Sequence, residues 1–217
     1  MRSFRFTLVE LLIVIGIIAI LAGILLPVVS GAAKRADMTK AKAEITTLIN
    51  AIKQFESTYG HLPLPNGYTG TAALTDVEYK DFILMLQAEK NSSGNYDYAS
   101  YNNSNPNTRK TRFLDVVGNT PGQFMDPWGG NYLVYMDHNY DGKIDAGTIA
   151  SGDKIENGST GGSSPTLTHF DGELYYSIII WSKGADDGSS VKAVRNDNVY
   201  SFPVVWDRGS NSYTITQ

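Results

Sequence analysis

The chain has 217 residues, of which 42% are apolar and only 18% charged, with 21 Gly, 13 Tyr and no Cys. The length suits one domain or slightly more, and the lack of Cys excludes a disulfide framework, a thiolate zinc site and a cysteine nucleophile. A formal charge of -4 and a pI of 5.3 argue against general nucleic-acid binding. The three His (His61, His138, His169) stand too far apart in sequence, none four residues from another, to suggest a histidine metal centre.

A mean hydropathy of -0.19 conceals a strong asymmetry between the two ends of the chain. From Leu11 to Leu26 the sequence LLIVIGIIAILAGILL carries no polar side chain, and from Phe6 to Val29 only Thr7 and Glu10 interrupt the apolar run. As a helix that run would be roughly 36 Å long, enough for a hydrocarbon core of about 30 Å. Arg2 and Arg5 precede it and Lys34 and Arg35 follow it, so charge counting leaves the orientation nearly undecided. Its position near the start, with the bulk of the chain after it, predicts a short cytoplasmic leader. The alternative is a cleaved secretory signal peptide, against which stand the length of the run and the want of a clear small-x-small site beyond Ser30-Gly31-Ala32. A carboxylate at Glu10 costs on the order of 2.5–3.5 kcal/mol in a membrane interior. It calls either for a positive partner from another subunit or for a place among lipid headgroups.

Phe6-Thr7-Leu8-Val9-Glu10-Leu11-Leu12-Ile13-Val14-Ile15, the apolar run and Pro27 together resemble the amino-terminal segment of type IV pilins and type II secretion pseudopilins. The resemblance implies that a prepilin peptidase removes residues 1–5 by cutting between Arg5 and Phe6, that Phe6 is then N-methylated, and that Glu10 pairs with a neighbour's terminal amine. The family usually has Gly before the cut, where this sequence has Arg5. It also implies a homo-oligomeric helical filament, raised from an inner-membrane platform driven by a cytoplasmic ATPase. The subunit would cross the bacterial inner membrane once, with its head outside the cytoplasm in a periplasmic or surface filament.

Beyond Pro27 the helical pattern resumes. Met38, Ala41, Ile45, Leu48, Ile52, Phe55 and Tyr59 fall at three- and four-residue steps and predict one apolar stripe on an amphipathic helix. Gly60 supplies a stop, reinforced by Pro63 and Pro65. A continuous helix from Phe6 to Thr58 would reach roughly 80 Å. Pro27 removes one backbone hydrogen bond and is flanked by Gly16, Gly23 and Gly31, so it marks either a functional weak point or the ordinary Gly and Pro usage of membrane helices. The resemblance implies local loosening there during filament packing. Tyr59-Gly60-His61-Leu62-Pro63 looks like the family's helix-to-head junction, with His61 an exposed junction residue.

The remainder reads as a small, polar-looped, β-rich head. Thr75-x-x-Glu78 is a capping box before Phe82-Ile83-Leu84-Met85-Leu86 and predicts a short helix near 76–89. Residues 90–110 and Gly158–Pro165 read as surface loops. Tyr132–Met136, Leu174–Trp181, Val199–Val205 and Tyr213–Thr216 are strand candidates, with Pro203 pushing its strand to an edge. Asp126-Pro127-Trp128-Gly129-Gly130-Asn131-Tyr132 resembles the Asp-Pro-Trp-Gly-x-x-Tyr signature before the first head strand of major pseudopilins. It is a turn motif, with Trp128 able to anchor the turn on the sheet.

Asp137, Asn139, Asp141 and Asp145 occupy positions 1, 3, 5 and 9 of a loop with Gly142 at 6 and Ile144 at 8, much of an EF-hand calcium pattern. Lys143 would offer its backbone carbonyl. Thr148 stands where an EF-hand has its bidentate Glu, and Asp153 could return a carboxylate. The alternative is an acidic hairpin loop without metal; His138 falls on the outward alternation and argues against zinc. A second, weaker calcium candidate comprises Asp186, Asn196 and Asn198, in a stretch similar to the Ser-x-Gly-x-Asp calcium loop of major pseudopilins, with Asn replacing Asp twice. After residue 35 the chain carries 14 basic and 21 acidic residues, about -7, a field suited to hard cations.

These readings predict an α+β chain: a leader (1–5), a transmembrane helix half (6–29), an amphipathic helix half (30–59) and a head with a small antiparallel sheet (60–217). The expected role is a structural subunit of a type IV pilus-like or type II secretion pseudopilus filament. The alternative is a membrane-tethered, calcium-dependent adhesin or minor tip-binding subunit. No nucleophile elbow, HExxH or phosphate loop occurs, so catalysis is not expected.

Overall fold

In the computed structural model a single helix, α1 (Leu8–Tyr59, 52 residues), runs unbroken through Pro27. The structure describes residues 8–70, 72–115, 120–145, 173–186, 199–201, 204–207 and 212–215; of these, the side chains of 25–30, 145, 173–174, 186, 204–207 and 212–215 are not described. Thr39, Thr46, Thr47 and Thr58 return their hydroxyls to carbonyls four residues back, at 2.7–2.9 Å, which accommodates β-branched residues in the helix. Gly60, at φ +78°, ends α1 by donating its N–H to the Glu56 carbonyl at 2.7 Å.

The two halves of α1 live in different surroundings. Ala41, Ile45, Leu48, Ile52 and Phe55 are almost wholly buried, with Met38 and Tyr59 half-buried beside them, as the stripe requires. From Leu8 to Ile24, by contrast, large apolar side chains are exposed on every face. This stretch rises roughly 25 Å, less than the ~30 Å of a hydrocarbon core. Among the described residues no helix is long and apolar enough to cross a membrane. The crossing expected over 6–29 therefore lies partly outside the described residues, as do the leader at 1–5, Arg5 and Phe6.

Thr75 starts α2 (Asp76–Gln87) with both halves of the capping box: the Thr75 hydroxyl accepts from the Glu78 N–H at 3.4 Å, and the Glu78 carboxylate accepts from the Thr75 N–H at 2.8 Å. The helix closes earlier than 89 because Ala88 turns left-handed (φ 54°) and its N–H reaches back to the Leu84 and Met85 carbonyls. A three-stranded antiparallel sheet, ordered β1-β4-β5, joins β1 (Leu133–Met136), β4 (Ile178–Ser182) and β5 (Val199–Tyr200). Its β1/β4 register sets Leu133 opposite Trp181 and Met136 opposite Ile178. Val134, Met136, Ile178 and Ile180 join the core with α1 and α2, while Tyr135, Ile179 and Trp181 are buried on the other alternation, where Trp181 stacks on Tyr200 at 5.7 Å.

The expected strand at 174–181 is two strands. β3 (Glu173–Leu174) pairs with β2 (Ile144–Asp145), and β4 belongs to the main sheet. The expected strand at 199–205 also divides, into β5 and β6 (Val204–Asp207); β6 pairs antiparallel with β7 (Ser212–Ile215). Pro203 and the 158–165 loop lie outside the described residues.

The surface-loop reading of 90–110 needs correction. Tyr98, Tyr101 and Asn107 are buried around a short turn at Ala99–Tyr101. Tyr101 donates to the Pro63 carbonyl at 2.9 Å and Tyr98 to the Glu89 carbonyl at 2.7 Å. Asn107 accepts from the Tyr59 hydroxyl at 2.8 Å and donates to the Met85 carbonyl at 2.9 Å. Polar side chains bury this stretch through hydrogen bonds, so it shows no apolar period.

Candidate functional site

The joint between helix and head is built around the Asp126–Tyr132 turn. The buried Asp126 carboxylate accepts through Oδ1 from the Trp128 and Gly130 N–H groups, at 3.1 and 2.7 Å, and through Oδ2 from the Ser182 hydroxyl at 2.5 Å. It thus ties the turn before β1 to the end of β4. Gly129 takes a positive φ of 90°, and Trp128 rests half-buried against the core. Tyr132 then crosses to the helix, where its hydroxyl donates to Glu44 Oε2 at 2.6 Å. Burial, then the bond to the Glu44 carboxylate and its charge, raise the Tyr132 phenol well above its ordinary range. Burial likewise raises Tyr79, whose hydroxyl donates to the Phe124 carbonyl at 2.6 Å. The sequence carried no signal for the Asp126–Ser182 and Glu44–Tyr132 bonds, since their partners lie 56 and 88 residues apart.

The acidic loop leaves β1 directly. Asp137 is buried (3% exposed), and its N–H donates to the Ser177 carbonyl at 2.9 Å. Its Oδ2 accepts from the Gly142 N–H at 2.8 Å, across a turn in which Tyr140 and Gly142 both take positive φ. Oδ1 is buried with no hydrogen-bond partner among the described residues. Asn139 and Asp141 face one another, with Asn139 Nδ2 donating to Asp141 Oδ2 at 2.9 Å, while the Lys143 N–H donates to Asp141 Oδ1 at 3.1 Å. His138 is exposed and lies against Gly70, and His61 is exposed at the junction. Tyr140 was not expected to matter. Its hydroxyl accepts from the Leu62 N–H at 2.7 Å, just past the end of α1, and so links the loop to the helix–head joint.

The structure thus brings Asp137, Asn139, Asp141 and Lys143 into one turn. Asp145 follows in β2, with its side chain outside the described residues. Among the described residues no three His, Asp or Glu side chains gather as a metal cluster. Within this loop that is because the described carboxylates are two and the other candidate donors are an amide and a backbone carbonyl. Most of the second candidate loop lies outside the described residues, Asn196 and Asn198 included; Asp186 ends a short turn (Gly184–Asp186). Glu10 is exposed in the first turn of α1; Pro27 lies within the same helix, its side chain not described.

Comparison with known proteins finds relatives over part of the chain. The chain is 35% identical over 86 residues to the fimbrial protein EcpC of Eikenella corrodens, covering 40% of this chain and 56% of that protein. It is 38% identical over 61 residues to the type II secretion system core protein G of Escherichia coli, covering 28% of this chain and 42% of that one. The chain is related to the pilins and pseudopilins. It spans about half the length of the curated relatives it matches, and neither relative's name is that of an enzyme. No family model matches this pilin relative, and no solved structure matches it.

Proposed function

We propose that this chain is a structural subunit of a type IV pilus-like or type II secretion pseudopilus filament, assembled from a bacterial inner membrane. The observation that carries the reading is the contrast along α1. Its distal half is sealed into the head, whereas its proximal half exposes apolar side chains all round, from Leu8 (79% exposed) to Ile24 (63%). A helix apolar on every face is stable only when lipid or other chains surround it. Relatedness to a fimbrial protein and a secretion-system core protein supports the same role. In it, a prepilin peptidase removes residues 1–5, Phe6 becomes the N-methylated terminus, Glu10 pairs with a neighbouring amine, and a membrane platform with its cytoplasmic ATPase raises the filament.

The test is to shear filaments from cells that carry the assembly machinery and to analyse the sedimented material. We expect this chain to sediment with the filaments, to begin at N-methyl-Phe6 by mass spectrometry, and to be lost from them in Glu10→Ala while remaining in the membrane fraction. A chain found only in the aqueous fraction, without detergent and without filaments, would overturn the proposal. A chain held in the membrane but absent from filaments would instead make it a tethered surface-binding protein.

A further inference from the structure

We propose that the turn at Asp137–Lys143 is a calcium site, held by side-chain oxygens of Asp137, Asn139 and Asp141 and the backbone carbonyl of Lys143. Oxygen donors at alternate positions around Gly142 are what a hard cation with a flexible shell of six to eight ligands requires. The Asp137 carboxylate gives the independent observation. It is buried, and the bond from the Gly142 N–H to Oδ2 turns it into the loop, yet Oδ1 has no partner among the described residues. A buried carboxylate oxygen left unpaired is costly, and a cation in the turn supplies what it lacks.

The rest of the turn fits the same ion. Asp141 and Asn139 sit two residues apart, side chain to side chain at 2.9 Å and exposed, so an ion entering from solvent meets both at once. Its attraction for the Asp141 carboxylate displaces the Asn139 Nδ2 contact, while Asn139 Oδ1, which accepts only a long 3.3 Å bond from the Asp141 N–H, keeps a lone pair to ligate. His138 lies against Gly70 and not in the turn, which leaves an all-oxygen donor set that favours calcium over zinc. Magnesium demands a small octahedral shell that a turn with a carbonyl ligand and an amide ligand does not supply. Because the Tyr140 hydroxyl accepts from the Leu62 N–H, an ion that stiffens the turn also stiffens the joint between α1 and the head.

Isothermal titration of the full-length, detergent-solubilised chain, stripped with chelator, tests this with calcium chloride and magnesium chloride as probes. We expect one calcium per turn, with Kd near the 10⁻⁴–10⁻³ M of extracellular calcium modules, since the EF-hand's bidentate Glu is replaced by Thr148. Magnesium should bind at least about tenfold more weakly. Asp141→Ala and the milder Asp141→Asn should each weaken calcium at least about tenfold, for loss of one of few charged ligands. Both variants should keep the parent's melting curve in chelator, because Asp141 is exposed. No calcium binding at millimolar concentration would overturn the proposal. So would calcium binding unchanged in both Asp141 variants, or binding abolished by Asp186→Ala and not by Asp141→Ala.

Discussion

Replacing Tyr132 with Phe removes one oxygen from the joint between helix and head and little else. The ring keeps its contact with Phe124, whose centroid is 5.7 Å away, so no cavity opens. What disappears is a 2.6 Å hydrogen bond to the Glu44 carboxylate. A bond to a charged acceptor contributes about 1.5–3 kcal/mol. The Glu44 side chain is 22% exposed, so water can reach the carboxylate in the variant, which places the loss near the lower end, about 1.5 kcal/mol. For a chain of 217 residues that corresponds to a fall in Tm of roughly 3–6 °C. Glu44→Gln keeps an acceptor but loses the charge, together with the exposed 3.8 Å pairing to Lys40, which contributes little. Thermal and urea unfolding of both single variants and the double variant then isolate the bond, with an expected coupling of about 1 kcal/mol. Coupling within error of zero, with Tyr132→Phe as stable as the parent, would refute the view that this bond helps dock the head on the helix.

Asp126→Ala strands three donors, the Trp128 and Gly130 N–H groups and the Ser182 hydroxyl, in a buried turn. At about 1–3 kcal/mol per orphaned group, with some relaxation, the urea midpoint should report a loss of about 3–5 kcal/mol, and a loss below about 1 kcal/mol would contradict the geometry. Alkaline pH gives a further test, because burial pushes Tyr68 up to about 12 and holds Tyr79, Tyr101 and Tyr132 well above the ordinary phenol value. In the unfolded chain these phenols ionise near pH 10. Stability from them is therefore complete below about pH 10 and declines above it by about 1.4 kcal/mol per pH unit for each buried phenol. Urea midpoints should be level from about pH 8 to pH 9 and fall between about pH 10 and pH 12; a level profile through that upper range would refute the assignment.

The features legible in the sequence were those written locally. The stripe from Met38 to Tyr59, the Gly60 stop and the Thr75–Glu78 box each act within one or two helical turns, and each appears where the spacing put it. Strand content was legible as well, because β-branched and aromatic runs mark it, but strand partners were not. The run around Leu174–Trp181 gives no sign that Leu174 answers Ile144 while Ile178 answers Met136, since pairing is decided across tens of residues. The 90–110 segment was missed for a related reason: Tyr98, Tyr101 and Asn107 are buried by bonds to Glu89, Pro63, Tyr59 and Met85, and composition alone made them look like surface. At the acidic turn the oxygen-bearing side chains were legible from spacing, whereas the burial of the unpartnered Asp137 oxygen was not, because it arises from the folded chain, where the Asp137 N–H bonds to Ser177.

The division of α1 would let one helix serve both a folded head and the assembly proposed above. Twelve large apolar side chains between Leu8 and Ile24 are 47–79% exposed in the single chain. Full burial of one such side chain contributes about 1.5–3 kcal/mol, and neighbours on the helix already shield about half, so covering the stretch is worth on the order of 10 kcal/mol. That equals the whole stability of an ordinary domain, about 5–15 kcal/mol. A surface of that size drives association or membrane entry. The head does not share the pressure: its core begins at Ala41, with Met38 at its edge, and closes through residues on α2 and the main sheet. On the proposed function, the proximal half would exchange lipid for neighbouring helices while the Glu44–Tyr132 bond and the Asp126 turn stay in place. Such independence is what a subunit needs if it is to leave a membrane for a filament without unfolding.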